Sequence, residues 1–212
     1  MIGQEARYKQ INSLLHHPVS IRNVSIVAHV DHGKTTLADC LIASNGIIHR
    51  KQAGQLRLLD DRLDEQDRGI TMKASSIALL HREHLINLID SPGHLEFYSE
   101  VSAALRLTDA ALLAVDTVEG VSSQTFRVLQ QLYSEKLPAV LVLNKVDKLI
   151  THCQMEPLQA YNHLSQVIEH VNAILGSFIS KEFGKEHTAG GVAKNNNKAE
   201  SVEGEQQPID AL

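Results

Sequence analysis

Several features are scarce in this sequence, and each scarcity excludes a class of protein. There is no tryptophan, the aromatic fraction is 4%, and there are only two cysteines. Cys40 and Cys153 have neither metal-ligand spacing nor a disulfide-rich context, so we expect incidental or buried thiols in a reducing compartment. No apolar run approaches the roughly 18 residues of a membrane-spanning helix. The first twenty residues carry charges and glutamines where a secretory signal needs an apolar run, which predicts a cytoplasmic protein without membrane contact.

Charge and length set further bounds. The net charge is −5, which argues against a broad basic surface for nucleic acid but leaves room for a local basic patch. The chain has 212 residues, 43% of them hydrophobic and 21% charged, both near globular averages. This length predicts one domain of ordinary size with a short appendage.

Composition changes twice along the chain. Residues 1–20 form a polar or amphipathic lead-in, with Leu14 and Leu15 as candidate anchors. Residues 21–178 have globular patterning, and residues 179–212 are polar and rich in Gly, Asn and Glu, which predicts a disordered tail. Within the domain, residues 47–75 are charged and aperiodic, which indicates a mobile loop.

The domain alternates apolar strands with helical segments. The runs NVSIVAHV, AALLAVD and AVLVLNK are unbroken and apolar, as in strands that are buried on both faces. SSIALL and HLINLID are separated by a polar HREH, which predicts a hairpin. The alternation predicts an α/β fold, a mostly parallel sheet with helices on both faces. Together with the phosphate-loop pattern described next, it predicts a fold of the P-loop NTPase type.

The segment AHVDHGKT fits the phosphate-loop pattern, except that Ala28 replaces its first glycine. It follows a strand and opens a helix, so its N–H groups can surround phosphates at the positive end of that helix. Lys34 is expected to reach the β- and γ-phosphates, and the Thr35 hydroxyl to bind Mg²⁺. The His29 and His32 side chains need not face the nucleotide. The predicted nucleotide-binding residues of this segment are His29, Val30, Asp31, His32, Gly33, Lys34, Thr35 and Thr36.

A second motif, DSPGH, ends an apolar strand. Asp90 stands where a carboxylate can meet Mg²⁺, and the Gly93 N–H can bond the γ-phosphate. His94 follows, at the position where GTPases place the residue that orients the attacking water. Upstream, Thr71 lies in the charged loop and could close over Mg²⁺ when the γ-phosphate is present. Alone, each of these short patterns is common; their order along the chain gives them weight.

The third motif, NKVD, follows the strand after AALLAVD. Asp147 can accept hydrogen bonds from guanine N1–H and the exocyclic amine, a donor pair that adenine lacks. Asn144 can bond the base and tie loops together, and the Lys145 stem can lie along the ring face. This motif disfavours an ATP-dependent P-loop kinase.

These residues carry a resemblance to a known family. AHVDHGKTTLADCLI, DEQDRGITMKAS, LINLIDSPGHLEF and LVLNKVDKL look like the G domain of translational GTPases of the elongation factor 2 class. LADCLIASNGII, AGQLRLLDDRLDEQDRGITMK and LQAYNHL are similar to the elongation factor-like branch that matures the cytoplasmic large ribosomal subunit. The resemblance covers about residues 20–178.

The resemblance implies GTP hydrolysis with Mg²⁺, stimulated by the ribosome. It implies contact with the ribosome or the pre-ribosomal large subunit and its RNA, and work with a maturation-factor protein to release an anti-association factor. It also implies a monovalent cation beside Asp31. The roles it implies match those above: His94 as the catalytic residue, Mg²⁺ at Thr35, Thr71 and Asp90, and the nucleotide at Lys34, Gly93, Asn144, Lys145 and Asp147.

Two departures from the family keep alternatives open. Leu95-Glu96 replaces the usual Val-Asp, a conservative change. The family's Ser-Ala motif at the guanine edge and the strand before it are missing, so we expect an incomplete G domain that lacks its last strand. A fragment acting as a weak nucleotide-binding or interaction module is therefore one alternative. The G domain of a translation elongation (translocation) factor is another.

Overall fold

The structure is a computed structural model that describes residues 4–60, 71–94 and 97–189. Internal contacts divide the chain into two units, Met1–Phe178 and Ile179–Leu212. The first unit contains the sheet and the site described below. None of the helices within the described ranges is both long enough and apolar enough to cross a bilayer.

The described residues form one five-stranded sheet. Its strands are β1 (Ile21–Ala28), β2 (Ser75–His81), β3 (His84–Asp90), β4 (Ala110–Asp116) and β5 (Ala139–Asn144). Their order is β2-β3-β1-β4-β5. β1 pairs in parallel with β3 and β4, and β5 pairs in parallel with β4. β2 runs antiparallel to β3. The predicted hairpin and the mostly parallel sheet are both confirmed.

Helices follow the strands. They are α1 (Gln4–Leu15), α2 (Lys34–Ser44), α3 (Tyr98–Leu105), α4 (Ser123–Ser134), α5 (Val146–Thr151) and α6 (Pro157–Ala189), with short 3-10 helices at Pro18–Ser20 and Arg50–Gln52. Two hydrophobic clusters form the core. Ile26 belongs to one cluster with Ile42 of α2, and its neighbour Val27 belongs to the other with Leu129 of α4. Successive side chains of a strand point to opposite faces, so β1 is covered on both sides.

The register brings polar strand ends together at one edge of the sheet. Ile26 pairs with Asp90, Ala28 with Ala114, and Asp116 with Asn144. The loops that follow β1, β3, β4 and β5 therefore meet at the carboxyl edge, where open α/β sheets place their ligands.

The lead-in is a helix, and it is held by a different residue than expected. Leu15 is exposed and Leu14 is only partly buried. The Arg7 guanidinium instead donates to the Asn45 carbonyl at 2.8 Å and to the Ala78 carbonyl at 3.2 Å. Asn45 follows the last residue of α2 and Ala78 lies in edge strand β2, so the Arg7 guanidinium connects α1 to both elements.

Two predicted segments of irregular structure are partly ordered. Between residues 47 and 60, Leu59 and Asp60 are buried, so the expectation of an unpacked loop is wrong for this part. Residues 61–70, the centre of that loop, lie outside the described residues. The tail predicted from residue 179 begins inside α6, which continues to Ala189. Its lysines, glutamates and alanine are good helix formers, so a fall in apolar content did not mark the helix end. Residues 190–212 lie outside the described residues.

Candidate functional site

A cavity of about 410 Å³ opens at the carboxyl edge of the sheet. Most of the residues around it come from the predicted motifs, but two, Gly54 and Arg57, do not. The cavity is lined by Val30, Asp31, Gly33, Lys34, Thr35, Thr36, Gly54, Arg57, Thr71, Gly93, His94 and Lys145. Three cationic side chains against one carboxylate suit a polyanionic ligand.

The loop between β1 and α2 has the shape that phosphate binding needs. Asp31 has φ 60° and Gly33 has φ 90°, so the chain turns through left-handed conformations before α2 begins. A Cβ at Gly33 would collide with the Asn144 side-chain amide. Glycine is therefore required there by conformation and by space, and the loop brings its N–H groups to the positive end of α2.

Lys34 is almost buried at the first position of α2. Its Nζ donates to the His29 carbonyl at 3.3 Å. Burial lowers the pKa of Lys34, while the carboxylates of Asp90, Asp31 and Asp60 act against that shift. A Cβ at Gly93 would collide with the Lys34 ammonium, so the Gly93 backbone lies directly against this cation. Lys34 and Gly93 thus meet at the same end of the cavity.

The side chains of Thr35, Thr71 and Asp60 contact one another in a series. The Thr35 and Thr71 hydroxyl oxygens lie 3.1 Å apart. The Thr71 hydroxyl donates to Asp60 Oδ1 at 2.8 Å. All three residues are buried. The two threonines that the sequence assigned to Mg²⁺ are therefore brought together, and Asp60 holds the second of them.

Asp90 completes this end of the site. It is fully buried, and neither carboxylate oxygen has a hydrogen bond of normal geometry within the described residues. Burial raises the pKa of Asp90 to about 6, and the Lys34 ammonium and Thr35 hydroxyl only partly oppose this. The buried Asp90 carboxylate, the Thr35 hydroxyl near it and the Thr71 hydroxyl next to Thr35 are a set of hard oxygen donors. These residues fit Mg²⁺.

His94 borders two cavities. It lines the main cavity and also a smaller one of about 20 Å³, which Val27, Pro92, Val101 and Val128 help to enclose. Its ring centroid is 6.2 Å from that of Phe97. The imidazole therefore lies between the polar cavity and an apolar wall.

On the base side, Asn144 and Lys145 bond to the phosphate loop. Asn144 Nδ2 donates to the His32 carbonyl at 2.8 Å, and Lys145 Nζ donates to the Asp31 carbonyl at 2.5 Å. Lys145 Nζ also pairs with Asp116 at 2.6 Å. Burial alone would raise the pKa of Asp116, but this lysine and two backbone N–H groups hold it below its usual value. The loop-tying role predicted for Asn144 is thus seen directly.

Asp147 stands apart from these contacts. It is exposed at the second residue of α5, and its carboxylate makes no hydrogen bond or ion pair within the described ranges. It does not line the cavity. The structure therefore leaves its carboxylate accessible at the base end.

The two loop histidines face away from the cavity. His32 is fully buried, with Asp116 N–H donating to its Nδ1 at 3.2 Å. The neutral ring therefore carries its proton on Nε2, which lies 3.1 Å from Glu119 Oε2. His29 contacts Gln124 and the same glutamate. His29, His32 and Glu119 lie close enough for a metal ion. Because His32 Nε2 carries a proton, only His29 and Glu119 could still bind a metal ion. We therefore infer that these three residues stabilise the shape of the phosphate loop.

Sequence reasoning missed several residues that shape the site. The Asp39 carboxylate, fully buried in α2, accepts backbone N–H groups from Gly54, Arg57 and Leu58 at 2.9–3.1 Å. Asp60 and Arg57 form an ion pair at 2.8 Å. An aspartate among the apolar residues of α2 was a usable signal for Asp39. Arg57 and Asp60 offered none, because they lie in an aperiodic charged stretch.

Comparisons with known proteins identify a family and relatives to which this chain is similar. The model of the Elongation factor Tu GTP binding domain matches residues 19–205 and so includes most of the predicted tail. Ribosome assembly protein 1 of Saccharomyces cerevisiae is 56% identical over 189 residues, which cover 82% of this chain and 17% of that protein. Human elongation factor-like GTPase 1 is 51% identical over 191 residues, covering 86% of this chain and 17% of that protein.

The fold has a solved relative as well. A protein from Thermus thermophilus superposes with a TM-score of 0.62 at 28% identity, covering 74% of this chain and 22% of that one. This chain spans only 17% of the length of the two curated relatives. Members of the matched family bind GTP and generally use Mg²⁺. The chain belongs to the translational-type GTPases, through their elongation factor Tu GTP binding domain.

Proposed function

We propose that this chain binds GTP with Mg²⁺ and hydrolyses it on the ribosome, in maturation of the large ribosomal subunit in the cytoplasm. The observation that carries the proposal is the convergence of Lys34, Thr35 and Thr71 on one cavity, with Asp90 buried beside it. The curated relatives named for ribosome assembly support the biological context. Release of an anti-association factor with a maturation-factor protein is the finer part of this proposal.

The residues divide the work by chemistry. Lys34 and the loop N–H groups hold the β- and γ-phosphates, and the Gly93 N–H contacts the γ-phosphate. Thr35, Thr71 and Asp90 would hold Mg²⁺, which supplies charge neutralisation on the phosphates when bound. Asp31 would hold a monovalent cation. Asn144, Lys145 and Asp147 bind guanine.

His94 orients a water molecule towards the terminal phosphorus. The water oxygen bonds to the γ-phosphorus, the bond from phosphorus to the β–γ bridging oxygen breaks, a water proton passes to a phosphate oxygen, and GDP and inorganic phosphate leave. His94 lines the same cavity as Lys34 and Thr71, which supports this role.

A titration of the purified chain with a fluorescent GTP analogue tests the proposal. We expect saturable binding in Mg²⁺ and a large loss when Mg²⁺ is chelated. Absence of saturable binding up to about 1 mM nucleotide would leave less than roughly 4 kcal/mol of binding free energy and sink the proposal.

Base choice and turnover need separate variants. Asp147→Asn should lose GTP and gain xanthosine triphosphate, since the amide reverses one hydrogen bond at the base. Unchanged GTP affinity would refute the assignment of Asp147.

His94→Ala should keep GTP affinity and lose turnover stimulated by large ribosomal subunits. Normal stimulated turnover in that variant would remove His94 from the mechanism.

A weak nucleotide-binding or interaction module is the second candidate. The exposed Asp147, which makes no side-chain bond in the described part of the chain, favours it. Saturable binding without turnover on large ribosomal subunits would select this candidate. Stimulation by translating ribosomes but not by isolated large subunits would instead select an elongation factor.

A further inference from the structure

Arg57 lines the phosphate cavity, although neither the motifs nor the comparisons assign it a role. Its side chain is 30% exposed, and its Nε lies 2.8 Å from Asp60 Oδ2. An arginine beside a phosphate-binding loop presents five donors in a planar fork, a geometry that matches phosphate oxygens.

The backbone of Arg57 is held in place by unusual means. Its φ is 47°, a left-handed conformation that side chains other than glycine and asparagine adopt at a cost. The Arg57 N–H donates to Asp39 Oδ2 at 2.9 Å, and the Leu58 N–H donates to Asp39 Oδ1 at 3.0 Å. A fully buried carboxylate thus fixes a strained residue whose side chain then borders the cavity.

The position of Arg57 along the cavity is set by its partners. Its ion-pair partner Asp60 accepts a hydrogen bond from the Thr71 hydroxyl. The Thr71 hydroxyl oxygen lies 3.1 Å from that of Thr35. Arg57 therefore lies at the end of the cavity where the terminal phosphate is expected. Lys145 borders the other end.

We propose that Arg57 is a phosphate-binding residue that contacts the terminal phosphate of GTP and so favours the triphosphate over the diphosphate. The inference rests on the proposed function, because it needs GTP in this cavity. The guanidinium carries five N–H donors in a planar fork and can pair with phosphate oxygens through two parallel hydrogen bonds, which a lysine ammonium cannot do. The fixed backbone reduces the ordering cost of that contact.

The test measures Kd for GTPγS and for GDP in Mg²⁺ with Arg57→Gln and Arg57→Lys. Arg57→Gln should weaken GTPγS by about tenfold or more and GDP by less than about twofold. Arg57→Lys should lose part of the GTPγS affinity, because it keeps the charge without the fork. Arg106→Gln is the matched control: Arg106 also pairs through Nε with a glutamate, Glu135 at 3.3 Å, but it does not line the cavity.

Asp60→Asn separates phosphate binding from a purely structural ion pair. Asparagine removes the charge partner of Arg57 and keeps an acceptor for Thr71. We expect a GTPγS-selective loss smaller than that of Arg57→Gln, since Arg57 itself remains but has lost its charge partner. A selective GTPγS loss equal to that of Arg57→Gln would overturn the inference.

The other outcomes are equally decisive. Unchanged GTPγS affinity in Arg57→Gln, or equal losses for GTPγS and GDP, overturns the inference. If Arg57→Gln does not fold, Arg57→Lys decides: a GTPγS-selective loss supports the inference and an unselective one overturns it. Failure of the unmodified chain to bind either nucleotide overturns the proposed function instead, so the two failures are distinguishable.

Discussion

The two ends of the cavity are built differently. At the phosphate end, Lys34, Thr35, Thr71 and Asp90 are buried, and hydrogen bonds link the two threonines to Asp60. At the base end, Asp147 is exposed and its side chain is not engaged by the described residues. The packing of this chain therefore holds all four residues of the phosphate end, whereas at the base end it holds Asn144 and Lys145 but not Asp147.

Two hydrogen bonds join the ends. Asn144 donates to the His32 carbonyl and Lys145 donates to the Asp31 carbonyl, so both base-side residues are attached to the phosphate loop. The phosphate loop therefore organises both ends of the cavity. Changes in the loop should disturb the whole site, and changes at Asp147 should affect only base choice.

The largest effect is expected from Gly33→Ala, because Gly33 lies against Asn144, whose hydrogen bond to the phosphate loop connects the two ends of the cavity. The added Cβ meets the Asn144 amide, and φ 90° penalises alanine. Strain and the lost hydrogen bond should together cost about 4 kcal/mol of unfolding free energy. Affinity for the GTP analogue should fall by about 100-fold or more, since both ends move. Urea denaturation and nucleotide titration measure these effects.

Gly46→Ala is the matched control for Gly33→Ala. Gly46 has a similar φ of 73°, and nothing lies within 4 Å of an added Cβ. It should lose about 1 kcal/mol of stability through backbone strain and keep its nucleotide affinity. If the two variants lose the same stability and the same nucleotide affinity, the collision with Asn144 is unimportant. The contact between Asn144 and the phosphate loop then does not couple the two ends of the cavity.

The pair Asp39→Asn and Asp147→Asn compares the ends directly. Asp39 is fully buried and accepts three backbone N–H groups, so its amide variant places an NH₂ against donors. We expect a loss of about 3 kcal/mol of unfolding free energy for Asp39→Asn. Asp147→Asn should stay within about 0.5 kcal/mol, because the side chain is exposed. Equal losses in chemical denaturation would contradict the comparison.

The same contrast explains how much the sequence could predict. Strands such as AALLAVD stand out because they are continuous apolar runs, and β4 has the predicted bounds, Ala110–Asp116. The candidate phosphate and magnesium residues could be predicted because their chemistry is tied to short, ordered motifs. Lys34, Thr35 and Thr71 do line one cavity, as their roles require.

The misses share a physical cause. Asp39, Asp60 and Arg57 act through contacts between an aperiodic segment and α2, and no local pattern encodes such contacts. Leu15 was expected to anchor the lead-in because it is apolar, yet Arg7 does so through backbone carbonyls that only the folded sheet presents. Roles that depend on tertiary hydrogen bonds were therefore out of reach of the sequence.

Asp90→Asn tests whether the phosphate end is strained when it holds no ligand. The buried carboxylate has a pKa of about 6, well above its ordinary value of 3.8, so its charge opposes folding near neutral pH. The amide should raise nucleotide-free stability by about 2 kcal/mol, since it removes that charge. Measured with and without Mg²⁺, nucleotide affinity in the variant should lose its dependence on the cation. Lower stability in the nucleotide-free variant would show that the charge is compensated.

The smallest effect is expected in the pH dependence of stability, through His32 and its contact with Asn144. Burial lowers the pKa of His32 below 6.5, outweighing the opposing Glu119 carboxylate. A histidine of this kind binds protons more readily when unfolded, so stability falls as pH drops below 6.5 towards the folded value. We expect His32→Gln to remove about 1 kcal/mol of this loss between pH 7 and pH 5. His152→Gln, at an exposed site, should keep the full loss. Because the His32 carbonyl accepts from Asn144, acid should weaken GTP binding in the unmodified chain more than in His32→Gln. If GTP binding is equally sensitive to acid in the unmodified chain and in His32→Gln, protonation of His32 does not affect the hydrogen bond between Asn144 and the phosphate loop.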